Sequence, residues 1–146
     1  MVNAVQVKLV KTPIDLGTDI IPTLPLAAKM AKEYMEGYCS NNRENIILIC
    51  VSRDFQVNAI HTLAVGVDSQ VTFNAPDIFR VCLLSNSLGF ILAHNHPNGV
   101  CEPSDADLSA TRALKKAAKT IGLRLLDHLI IGDNLVHSMR ECGQIR

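Results

Sequence analysis

The stretch Leu88-Gly89-Phe90-Ile91-Leu92-Ala93-His94-Asn95-His96-Pro97-Asn98-Gly99-Val100-Cys101-Glu102-Pro103-Ser104-Asp105-Ala106-Asp107 decides how this chain folds. Its first six residues form an apolar run that reads as a buried strand. Side chains two apart on a strand share a face, so His94 and His96 leave the strand's C-terminal end together. Open α/β sheets place their sites at that end. Pro97, Asn98 and Gly99 then stop the strand in a turn. Ser104 reads as the N-cap of a helix reaching about residue 121, with Gly122 as its stop. The expected apolar stripe of that helix is Ala110, Leu114, Ala117, Ala118 and Ile121, with Thr111 alongside and Asp107 one turn earlier.

A carboxylate on the buried side of a first helical turn needs a partner, because an unpaired buried charge is costly. A divalent metal held by His94 and His96 is one such partner. A capping box is another, since Ser104-x-x-Asp107 has that spacing, although Glu or Gln is the usual fourth residue. His-x-His pairs also occur on ordinary strands. A strand end and a helix start joined by a short loop, each with metal-ligand side chains, favour a site.

Working upstream, residues 76–88 read as a helix opened by Pro76 and buried through Phe79, Leu83 and Leu84. Residues 45–51 and 57–65 read as strands, with Arg53-Asp54 beginning the turn between them. Residues 27–38 read as a helix, with Leu26, Met30, Tyr34 and Tyr38 roughly in phase. Residues 3–10 alternate weakly, as a strand would. Downstream, residues 124–131 read as a strand, Gly132-Asp133-Asn134 as a turn and residues 135–139 as a short strand. The pattern predicts an α/β fold with a mixed sheet flanked by helices.

The 146 residues have the length of one domain that buries its own core. Fourteen basic and fourteen acidic side chains balance, which argues against broad electrostatic capture of nucleic acid. Arg112, Lys115, Lys116 and Lys119 make a local basic face on the motif helix, read as a solvated face rather than a nucleic-acid patch. Five scattered cysteines (39, 50, 82, 101 and 142) without a Cys-x-x-Cys pair point to a reducing compartment, hence a cytoplasmic protein. Cys50 and Cys82 sit in apolar runs and read as core residues. No run is long enough to span a membrane, and no signal-peptide pattern opens the chain.

His-x-His, seven residues, Ser, two residues, Asp resembles the JAMM (MPN-plus) metal signature. The wording around it is closer to the RadC branch of that superfamily. The likeness runs through Ile91-Leu92-Ala93-His94-Asn95-His96-Pro97, Gly99, Pro103, Ser104 and Asp107. It continues in Leu126-Asp127-His128-Leu129-Ile130-Ile131-Gly132-Asp133 and Ser138-Met139-Arg140-Glu141, and reaches back through Gly66 and Pro76-Asp77-Ile78-Phe79. It covers roughly residues 42 to 141. Residues 1–41 are therefore expected to be an N-terminal extension and residues 42–146 the RadC-like domain. Asn98 stands where the family has serine, and Val100, Cys101 and Glu102 replace Asp-Pro-Thr; no proposed ligand is lost.

The resemblance implies a cytidine-deaminase-like JAB/MPN fold with three-layer α/β/α architecture. It implies His94, His96 and Asp107 as metal ligands, and two imidazoles with one carboxylate leave one tetrahedral position that suits zinc. It implies a glutamate before an early strand as general base, the place Glu44 occupies, with a solvent-exposed turn glutamate as the alternative. Ser104 would donate to a developing oxyanion. His128 orients a ligand or is a satisfied strand histidine, and His61 and His137 carry no readable signal. The expected function is zinc-dependent amide or isopeptide hydrolysis of an unidentified peptide or protein substrate. The alternative is a RadC-like DNA-repair or mobile-element accessory protein that binds metal without peptidase activity. Catalytically silent binding modules share the fold, and the intact ligand set argues against that third class.

Overall fold

A computed structural model describes residues 1–40, 42–66 and 73–146. Helix α1 (Leu24–Tyr38) leads into the hairpin strands β1 (Glu44–Val51) and β2 (Val57–Gly66). Helix α2 (Ala75–Leu84) precedes β3 (Gly89–Asn95), α3 (Asp105–Thr120), β4 (Arg124–Ile131) and β5 (Val136–Ser138). The strands form one sheet in the order β2-β1-β3-β4-β5. Only β3 and β4 are parallel, and α3 makes the crossover between them. A parallel pair needs such a crossover, which explains the helix directly after the motif loop.

Every residue of β1 is buried, as a central strand covered on both faces requires. Alternate residues feed two cores. Ile46, Leu48, Phe90, Leu92 and Ile130 pack against α2 and α3 through Ile78, Cys82, Leu114 and Ala118. Ile47, Ile49, Ile91, Ala93 and Leu129 pack against α1 through Ala27, Met30, Ala31 and Met35. The result is the three-layer α/β/α arrangement with a mixed sheet. Helix α1 therefore supplies one of the two outer layers.

Four sequence expectations need correction. Residues 3–10 form no strand: Val2, Val5, Val7 and Val10 are exposed, and the alternation finds no neighbouring strand to pair with. Helix α2 ends at Leu84, not residue 88, because Asn86 takes a left-handed conformation (φ 56°) and Ser87 N–H turns back to Cys82 C=O. That helix buries Ile78 and Cys82 while Leu83 faces solvent. The buried stripe of α3 is Thr111, Leu114 and Ala118: Leu114 and Ala118 are buried as expected, but Ala110 and Ile121 are exposed and Thr111 takes their place. No described helix is long and apolar enough to cross a membrane.

Candidate metal centre

The geometry of the site starts from strand register. β1 and β3 pair antiparallel with Ile46 opposite His94, so the same register carried two residues on sets Glu44 beside His96. Alternation then places Glu44, Ile46 and Leu48 with Leu92 and His94 on the face that α3 covers. Asn95 points the other way and holds the strand entry. Its Oδ1 accepts from Asn45 N–H at 2.7 Å and its Nδ2 donates to Arg43 C=O at 3.0 Å. Asp107 arrives from the first turn of α3, where Ser104 and Asp107 form a reciprocal capping box. Ser104 Oγ accepts from Asp107 N–H, and Asp107 Oδ2 accepts from Ser104 N–H at 2.9 Å. The capping box and the site therefore coexist.

Four side chains converge. His94 Nε2 and His96 Nε2 lie 2.8 Å apart. Glu44 Oε1 is 3.8 and 3.7 Å from these two nitrogens, and Asp107 Oδ2 is 3.6 and 3.9 Å from them. Glu44, His94 and His96 have donor atoms within 4.8 Å of one another, the spacing of a metal-binding group. Glu44 and His94 are buried, and the side chains of His96 and Asp107 are 17% and 19% exposed, which leaves the centre open on one side.

Hydrogen-bond roles assign the protons. Thr111 Oγ1 is 2.6 Å from the Asp107 carbonyl, which only accepts, so the hydroxyl proton sits in that contact. Thr111 Oγ1 therefore accepts at 2.7 Å from His128 Nδ1–H. His128 Nε2, bare in the neutral ring, accepts at 2.7 Å from His94 Nδ1–H. His94 Nε2 then carries a lone pair. On the other side His96 Nδ1 is 2.6 Å from Val100 C=O and must donate, so in the neutral ring His96 Nε2 also carries a lone pair. Two such lone pairs 2.8 Å apart repel unless a proton or a metal ion lies between them. Burial opposes a proton there: it is the main cause holding His94 down at about 4, with Asp107 acting upward and His96 downward. His128, fully buried, is driven well below its ordinary value, first by desolvation and then by His94 and His96. Burial raises Glu44 above the ordinary carboxylate value, against the lowering effect of His96. Imidazole nitrogens converging between flanking carboxylates are the donor set of a divalent cation, and these residues fit one.

The motif loop is tied to the far end of the sheet. Gly99 N–H returns to His96 C=O, Asn98 Oδ1 accepts from Val100 N–H, and Cys101 Sγ donates to Leu135 C=O. Asn98, the departure from the family wording, thus serves the turn that aims Val100 C=O at His96.

A family model described as "RadC-like JAB domain" matches residues 26–144. The chain belongs to that family. Among curated relatives, a "UPF0758 protein" of Acidithiobacillus ferrooxidans is 40% identical over 101 residues, 69% of this chain and 45% of that protein. A "UPF0758 protein" of Thermotoga maritima is 29% identical over 150 residues, 99% of this chain and 68% of that protein. One of Desulforamulus reducens is 30% identical, covering 99% and 65%. This chain thus spans between about half and two thirds of the relatives it matches. The RadC-like match takes in α1, which the motif likeness did not reach.

In this RadC-like JAB domain the structure brings together four of the residues singled out from sequence, Glu44, His94, His96 and Asp107, while Ser104 meets them only through its capping contact with Asp107. It adds Thr111, Asn95 and the Val100 carbonyl, which sequence reading passed over. His128 proves to be a buried link between His94 and Thr111. The basic face of α3 is partly occupied: Arg112 Nε donates to Gln144 C=O and Lys115 Nζ to Ile145 C=O.

Proposed function

We propose that this domain is a zinc-dependent hydrolase of the JAMM type that cleaves an amide or isopeptide bond. The observation that carries the reading is the pair of imidazole nitrogens, His94 Nε2 and His96 Nε2, facing each other between two carboxylates. His94, His96 and Asp107 would hold the ion, a set that leaves a fourth position free. Bound zinc supplies Lewis acidity, lowering the pKa of water toward neutrality and polarising a carbonyl.

The chain's own residues do the rest. Glu44 is the base: its carboxylate lies within 4 Å of both imidazoles, and burial raises its proton affinity toward the range in which a group accepts and returns a proton. Ser104 Oγ accepts from Asp107 N–H, so its own proton is free to donate to an oxyanion without breaking the cap. Asn95 positions Glu44 by fixing the strand entry on both sides of it.

The test has two arms. Elemental analysis of purified protein should find about one zinc per chain in wild type and little in His94→Ala. A panel of isopeptide- and peptide-linked fluorogenic substrates should be turned over by wild type, while Glu44→Gln retains metal and loses turnover by roughly a hundredfold or more. Metal-free wild type, or full activity in Glu44→Gln, would overturn the assignment.

A further inference from the structure

Far from the metal centre, Lys115, Lys119, Arg124 and Arg140 line one cavity of about 580 Å³, with Leu125 and Ile145 among its apolar walls. Arg124 pairs with Gly89 at the opposite end of β3 from His94. Five residues of strand rise separate the two places by roughly 17 Å. No carboxylate lines this cavity. Among the described residues, none of the four cations belongs to an ion pair. Of their side chains, only that of Lys115 donates a hydrogen bond among the described residues, to Ile145 C=O. In a chain whose charges sum to zero, four cations grouped without an acid are a local feature of the fold. Their mutual repulsion is relieved by an anion.

A second cavity of about 400 Å³ adjoins the first and shares Leu126 and Arg140 with it. Its walls are largely apolar, including Ile21, Phe55, Ile91 and Leu129, with Thr23 and Glu141 as polar groups. Asp127 also lines it, but that carboxylate already accepts from Ser138 Oγ and Arg140 N–H. The paired cavities are therefore polarised. The basic one attracts a multiply charged anion, whereas its neighbour, with Arg140 shared and the Glu141 carboxylate beside it, carries no such excess of cations. Two guanidiniums favour phosphate, which they bind in bidentate fashion, over a single carboxylate. An apolar cleft with a few hydrogen-bonding groups suits a heterocyclic base, its ring against the apolar wall and its polar edge toward Thr23.

We propose that this pair of cavities is a nucleotide site. The phosphate sits among Lys115, Lys119, Arg124 and Arg140, and the base reaches past Leu126 into the adjoining cleft. The nucleotide is either free or one unit of a nucleic-acid strand. The site stands independently of the metal centre.

The experiment is a calorimetric titration of the whole metal-free protein with sodium phosphate, thymidine and adenosine 5′-monophosphates, and short oligothymidylate and oligoadenylate. Nucleotides should bind roughly tenfold or more tightly than inorganic phosphate, and raised salt should weaken them. Lys119→Ala/Arg124→Ala, both exposed positions, should cost roughly tenfold or more in affinity, while Lys119→Arg should bind as wild type does and Arg124→Lys, which keeps the charge without the fork, should fall between. His94→Ala should bind as wild type does. A mononucleotide as tight as a strand assigns free nucleotide; a tighter strand assigns nucleic acid. The proposal is overturned by no saturable binding, by inorganic phosphate binding as well as nucleotides, by an unchanged double alanine variant, or by loss of binding in His94→Ala.

Discussion

Replacing Thr111 with valine removes one hydroxyl from the buried face of α3 and changes the shape of the side chain very little. The proton relay makes its consequence specific. Thr111 Oγ1 is the acceptor for His128 Nδ1–H, and both residues are fully buried. In Thr111→Val that N–H either stays unpaired, costing about 1–3 kcal/mol of stability, or the ring moves its proton to Nε2. The second course puts a donor where His94 Nδ1–H now finds an acceptor. His94 must then carry its proton on Nε2, the atom that faces His96. Metal must displace that proton before it binds. Loss of a group that orients a ligand histidine costs metal affinity about tenfold to a hundredfold, or about 1.4–2.8 kcal/mol. Competition against a chromophoric zinc chelator reads the affinity, and imidazole nitrogen NMR reads the tautomer. Thr111→Ser, which keeps the hydroxyl, should restore both. Wild-type zinc affinity in Thr111→Val, with His94 still protonated on Nδ1 and no loss of stability, would refute the relay.

Three further outcomes are expected. Ser104→Ala should lose the side-chain half of the α3 cap, lowering unfolding free energy by about 1 kcal/mol in urea titration, while zinc content stays near one per chain and any hydrolysis falls. The metal-free protein should lose stability as pH drops from 6.5 toward 4, because His94 has a folded value of about 4 against an ordinary 6.5 and the unfolded chain takes up the proton first. The loss attributable to His94 is about 3 kcal/mol. His128 acts in the same direction, whereas Glu44, raised in the fold, opposes it from 4.5 upward; chemical denaturation of chelator-treated protein across this window measures the sum. Gly132→Ala should destabilise the motif loop by about 1–3 kcal/mol, because a Cβ there overlaps Cys101 Sγ and lies 2.6 Å from Gly99 O; the drop in thermal midpoint should come with weaker zinc binding.

Much of the fold was legible because its central strands are short apolar runs bounded by turn residues. Residues 45–51 and 124–131 read as strands and appear as β1 and β4 with at most one residue's difference at either end. Ser104 was legible as a cap because hydroxyl and carboxylate three apart act locally. The weak alternation of residues 3–10 misled because a strand needs a neighbour, and alternation says nothing about one. The end of α2 was hidden because Asn86 in a left-handed conformation is a tertiary outcome, not a propensity. In the site, the residues with metal-ligand chemistry announced themselves. Thr111 and Asn95 did not, because each acts through a contact set by helix phase or strand register. The same threonine reads equally well as an ordinary helical residue.

The two carboxylates of the centre reach it by different routes. Asp107 is thirteen residues from His94 along the chain, whereas Glu44 is fifty away and arrives through the β1–β3 ladder. Contacts of short loop length close early and distant ones late. A folding chain thus assembles the two imidazoles and Asp107 within one strand-loop-helix unit, and Glu44 joins only when the hairpin docks. If His94, His96 and Asp107 hold the ion and Glu44 is the base, as proposed, the capacity to capture an ion precedes the capacity to act with it, and a half-folded molecule is a metal trap without a base.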